Sequence, residues 1–126
     1  MERKIDSFYQ KWKKDVIRKP LILYGPKQIG KTFSALDFGK REYKNTVYFN
    51  SQNNKELKDL FQKERSTEKI ILKLSLISGE TILKEDTLII IDNVEDIEII
   101  KGLKVFGSEH SKYHIIAIIT TKNKLN

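Results

Sequence analysis

Cysteine is absent from the chain, which excludes a disulfide framework and any thiolate metal site. No apolar run approaches the roughly 18 residues that a membrane-spanning helix needs, so none is expected. The opening Met1-Glu2-Arg3-Lys4 leads into an amphipathic stretch without the apolar core of a signal peptide. A cytoplasmic location is the expectation that follows. Internal repeats and low-complexity stretches are also missing, and proline occurs only at Pro20 and Pro26. Histidine is nearly as scarce. His110 and His114 lie four apart, but with no third ligand nearby and no H-E-x-x-H pattern they read as surface and packing residues.

What remains suits one α/β domain over residues 1–126: 39% of residues are apolar and 33% charged. The formal charge of +7 is uneven. Residues 1–20 hold seven cations (Arg3, Lys4, Lys11, Lys13, Lys14, Arg18, Lys19) against three acids (Glu2, Asp6, Asp15). This basic segment, residues 1–19, offers a face for nucleic acid or another polyanion, or simply a solvated helix surface.

Hydrophobic periodicity sets the expected elements. Ile5, Phe8, Tyr9, Trp12 and Val16 predict an amphipathic helix over residues 3–18 that Pro20 ends. Leu21 to Tyr24 reads as a strand buried on both faces. A helix is expected from Lys31 to about Tyr43, with Phe33, Leu36 and Phe38 inward. Val47 to Phe49 is a strand, closed by the polar cluster Asn50 to Asn54, and Leu57, Leu60 and Phe61 mark a helix. Residues 70–77 fit both periods, but Ser66-Thr67 as a start and Gly79 as a stop select helix. Leu88 to Asp92 is the clearest strand. Ile97, Ile100, Leu103 and Phe106 make a helix, and Ile115 to Thr120 the last strand. Strands alternating with helices imply a parallel sheet covered on both faces.

Gly25-Pro26-Lys27-Gln28-Ile29-Gly30-Lys31-Thr32 fits the phosphate-loop pattern G-x-x-x-x-G-K-[ST] without a mismatch. Its glycines permit unusual dihedrals and leave backbone amides open to phosphate. The following helix adds the positive end of its dipole. Lys31 supplies a mobile charge to the β- and γ-phosphates, and the Thr32 hydroxyl a ligand for Mg²⁺. The apolar strand before the loop and the helix after it give the setting such a loop needs. Residues 25–32, with Phe33 just beyond, are therefore the candidate contacts for ATP or ADP, with GTP as the other nucleotide the loop would accept. Asp92, at the carboxyl end of a buried parallel strand, lies where ligands bind in open α/β sheets and is the candidate partner of Mg²⁺ beside Thr32. Thr120 and Thr121 end the last strand, where a polar side chain would sense the γ-phosphate.

With these residues assembled, the chain resembles the prokaryotic AAA-like ATPases whose P-loop domain precedes a C-terminal domain of unknown function. The resemblance runs over nearly the whole chain. It covers Trp12-Lys13, Arg18 to Leu23, the loop, Val47 to Asn50, Leu88 to Asp92, and Tyr113 to Ala117. It implies an ATP-binding hydrolase fold of the P-loop three-layer type. The last strand is then expected between the P-loop strand and the Asp92 strand, with the Val47 strand outermost. The family also implies a C-terminal domain, so this chain is expected to be shortened there. That would leave Leu21–Tyr24 as an open edge for self-association or for the missing domain. Two departures bear on catalysis. Members carry D-E-I-Q where this chain has Asp92-Asn93-Val94-Glu95, and G-S near Thr120-Thr121. An amide cannot take a proton, so Asn93 removes the usual base. Glu95 and Asp96 lie one turn on, and either is a candidate to replace it. Three functions follow as expectations: a weak ATPase, a nucleotide-binding module without turnover, or a nucleotide-switched nucleic-acid-binding domain.

Overall fold

The computed structural model describes residues 4–25, 29–107 and 112–120. Pro26, Lys27, Gln28, His110 and Thr121 lie outside them. The elements run α1 (Lys4–Lys14), β1 (Leu21–Gly25), α2 (Ile29–Glu42), β2 (Asn45–Asn50), α3 (Lys55–Lys63), α4 (Thr67–Ser78), β3 (Thr87–Val94), α5 (Ile97–Leu103) continued by a 3₁₀ turn (Lys104–Gly107), and β4 (His114–Thr120).

Local chemistry sets the breaks. Asn54 and Ser66 cap α3 and α4 by accepting from the amides of Leu57 and Lys69, and Asp96 caps α5 through the amide of Glu98. Gly79 ends α4 with φ of 72°, and its amide donates to the carbonyl of Ser75. The helical choice for residues 70–77 therefore holds.

The four strands pair in parallel in the order β1-β4-β3-β2, the order expected. Register sets Ile90 against Ile116, and Tyr48 against Ile90. Alternation along β3 divides the interior into two cores. Ile89 and Ile91 face α3, α4 and α5 through Leu57, Phe61, Ile70, Leu74 and Ile99. Leu88 and Ile90 face α1 and α2 through Tyr9, Ala35 and Phe38. The α/β class is borne out.

Three expectations need correction. The N-terminal helix stops at Lys14, short of residue 18. There Asp15 accepts from the amide of Ile17, and the Arg18 guanidinium donates to the carbonyls of Lys13 and Asp15. These bonds replace the helical ladder and leave Val16 exposed. In α2, Phe38 is buried as expected, but Phe33 and Leu36 are exposed, and Ser34 and Ala35 face inward in their place. β1 is not buried on both faces: among the described residues it pairs only with β4, and Tyr24 is 65% exposed.

The N-terminal helix is docked rather than free. Tyr9 bonds Ser34 and stacks on Phe38, and buried Asp6 pairs with Arg41 at 3.0 Å. Lys13 sits over the Tyr43 ring at 5.0 Å. His114 is the packing residue expected, buried against Trp12 and Tyr43 and 2.6 Å from the Tyr43 hydroxyl through Nδ1. Its Nε2 is buried without a hydrogen-bond partner. Burial, reinforced by the nearby charges of Arg18 and Lys13, pushes its pKa down to about 3.

Candidate functional site

Parallel strands bring their carboxyl ends to one edge of the sheet, and the polar residues of the chain's strand ends gather there. Gly25 closes β1 with φ of 155°, a conformation L side chains rarely adopt. The ammonium end of Lys31 lies over Gly25, where a Cβ would meet Nζ and Cε, so a side chain here would displace that ammonium. Gly30 is the opposite case, with nothing within 4 Å of where a Cβ would stand. The first turn of α2 carries no acidic residue, so the positive end of its dipole is left uncompensated from within.

Asp92 is the anchor. It is 4% exposed, yet its carboxylate is well supplied with donors. Oδ2 accepts from the Thr32 hydroxyl at 2.9 Å and from the Tyr48 hydroxyl at 2.7 Å. Oδ1 accepts from the amide of Asn93 at 2.9 Å. Such bonds offset the cost of taking a carboxylate out of water. Thr32 from α2 and Asp92 from β3, 60 residues apart, are thus in contact. Burial and the bond to Asp92 push the Tyr48 phenol up to about 12, with the Asp92 charge adding to both.

Asn93 stands in a left-handed conformation, φ 56°, which asparagine tolerates better than most residues. The β3–β4 register shifts between Ile91 and Val94, and this bulge re-aims the residue inside it. Its Nδ2 donates to Asn50 Oδ1 at 3.1 Å, and its Oδ1 accepts from the Thr120 hydroxyl at 3.4 Å. The amide therefore bridges the ends of β2 and β4, beside Asp92. Beyond it opens a polar cleft of about 530 Å³ lined by Gln52, Asn54, Lys55, Asn93 and Glu95, among others.

Not every candidate joins this cluster. Glu95 is exposed on the rim of the cleft, and its side chain has no hydrogen bond or ion pair with a described residue. Asp96 is engaged elsewhere, capping α5 and pairing with Lys58 at 3.4 Å. Ile29 begins α2, and exposed Phe33 follows Thr32 on its first turns. Tyr48 and Asn50 went unread as site residues. The signal was available: with Val47 and Phe49 buried in the core, the alternate positions 48 and 50 belong to the other face of the strand. Both are polar, and Asn50 is in register with Asp92.

Among the described residues no three His, Cys, Asp or Glu side chains gather into a group able to hold a metal ion unaided. Mg²⁺ asks less, since one carboxylate with substrate phosphates and waters usually suffices. Thr32 and Asp92 fit that donor set. The Thr32 hydroxyl directs its hydrogen to Asp92 and keeps its lone pairs for a cation.

A parallel sheet of this order, with a G-x-x-x-x-G-K-T segment leading from β1 into α2 and an aspartate near the carboxyl end of β3, defines a P-loop nucleoside-triphosphatase-like fold. The family comparison narrows the class. A family model described as AAA domain matches residues 17–123, and the chain belongs to that family of nucleotide-binding, ATPase-type domains. No curated protein and no solved structure matches the chain significantly. No helix among the described residues is long and apolar enough to cross a membrane.

Proposed function

We propose that this chain binds Mg·ATP on residues 25–32 and hydrolyses it slowly, because Asn93 stands where a general base is needed. The observation that carries the reading is the 2.9 Å hydrogen bond from Thr32 to Asp92. It unites the end of the phosphate loop with the acid of the Asp92 strand. The open backbone at Gly30 lets phosphate approach the amides that begin α2, and Lys31 supplies the balancing charge. Thr32 and Asp92 would hold Mg²⁺, which neutralises charge on the β- and γ-phosphates when bound. Asn93, bonded to Asn50 and Thr120, can orient a water but cannot accept its proton.

General-base assistance is typically worth ~10²–10⁴ in rate. The parent chain should therefore release phosphate near background while binding ATP detectably. Asn93→Glu should raise phosphate release tenfold or more, with little change in affinity, because the restored interaction acts mainly in the transition state. Brisk hydrolysis by the parent, abolished by Glu95→Gln, would make Glu95 the base and overturn the reading.

A further inference from the structure

We infer that Tyr48 is a positioning residue for magnesium: its hydroxyl holds the Asp92 carboxylate in the orientation that Thr32 needs to present a cation. This deepens the proposed nucleotide site and rests on it. The argument begins with the carboxylate. Two of its three hydrogen bonds fall on one oxygen, Oδ2, and come from Thr32 and Tyr48. These donors belong to different elements, α2 on one face of the sheet and β2 at its edge. A carboxylate turning about its Cβ–Cγ bond would break both at once. Removing either weakens that hold and lets the remaining donor draw the group toward itself. The third bond, from the Asn93 amide to Oδ1, comes from the adjoining residue and supports the carboxylate from its other oxygen.

Register explains why β2 supplies this group. Tyr48 lies opposite Ile90 and Asn50 opposite Asp92, so the phenol must reach diagonally, two positions along, to meet Oδ2. A tyrosine has that length. Serine or threonine at the same position would not. The ring also stands at the sheet edge beside a carboxylate that is 4% exposed, while Tyr48 itself is 40% exposed. It thus forms the solvent-side wall of Asp92. With Oδ2 accepting from both hydroxyls, Oδ1 keeps an acceptor direction beside the Asn93 amide for a cation or its bound water. Partners that orient a metal's ligands in this way commonly matter 10–100-fold in metal affinity.

The test uses Tyr48→Phe, which keeps the ring and removes only the hydroxyl. ATP affinity is measured by calorimetry in EDTA and again with Mg²⁺, in parent and variant. The inference predicts an unchanged affinity in EDTA within about twofold, and a magnesium-dependent gain reduced about tenfold. A carbon-13 NMR signal from the Asp92 carboxyl should also move in the variant without nucleotide or metal. Equal losses with and without Mg²⁺ would show a general structural role and overturn the inference. An undiminished or enlarged gain would overturn it too, and leave the nucleotide site standing. A parent chain with no magnesium-dependent gain would overturn the site reading and the role of Tyr48 together.

Discussion

Asn93 shows how a single residue can be fixed by backbone and chemistry at once. Its φ of 56° is a conformation that costs most L residues about 1–2 kcal/mol and asparagine less. The substitution proposed to restore a general base therefore strains the chain. Asn93→Glu should lower the unfolding free energy by about 1–2 kcal/mol, while Asn93→Gly, free of that strain, should lose less. Urea titration of the three proteins checks this. A glutamate variant as stable as the parent would mean that the bulge relaxes on substitution. The family resemblance singled out position 93, but nothing in the sequence announced the positive φ, because asparagine is common in extended and left-handed backbone alike. Tyr48 was hidden for a related reason. An aromatic residue in a strand reads as packing until the partner strand's register is known.

At the scale of elements, caps and strand patterns were legible because they are short-range. Ser66 and Gly79 settled α4, and the isoleucine run settled β3. The inward face of α2 was not legible. Phe38 packs inward as its size suggests, but Phe33 and Leu36 do not: with Thr32 turned to Asp92, the helix brings Ser34 and Ala35 inward beside Phe38. Close packing between helices was similarly hidden. Gly102 in α5 lies against Phe61 of α3, where an added Cβ would stand 2.8 Å from the Phe61 Cβ and 2.9 Å from its carbonyl oxygen. Backbone and a Cβ cannot swing aside as a side-chain end can. Gly102→Ala should therefore cost about 1–3 kcal/mol, although alanine normally stabilises a helix interior relative to glycine by about 1 kcal/mol. Chemical denaturation gives the sign directly, and a stabilised variant would show that α3 and α5 separate more easily than the contact implies.

For the whole molecule, the chain's basic character is partly turned inward. Arg18 is buried, Lys13 lies on Tyr43, and both depress the pKa of His114. The folded value is about 3 against 6.5 unfolded, so the folded state binds fewer protons between these limits. Stability from this residue is complete above pH 6.5 and is lost progressively as pH falls toward 3. From pH 7 to pH 5 the loss should be roughly 2 kcal/mol, and His114→Phe should remove most of it. Parallel pH profiles for parent and variant would contradict that account. The strand order and the phosphate loop were legible from the sequence at this scale, the order through the family resemblance and the loop from its own pattern. The contacts that dock α1 onto α2 were not, because they join residues such as Asp6 and Arg41 that read locally as surface charges. The central claim is that residues 25–32 form a nucleotide site, and Lys31→Ala addresses it most directly. A charge-assisted hydrogen bond contributes about 1.5–3 kcal/mol, and ~1.4 kcal/mol is a factor of ten. Calorimetric titration with Mg·ATP should find the variant at least tenfold weaker than the parent. Equal affinity in the two proteins would contradict the claim.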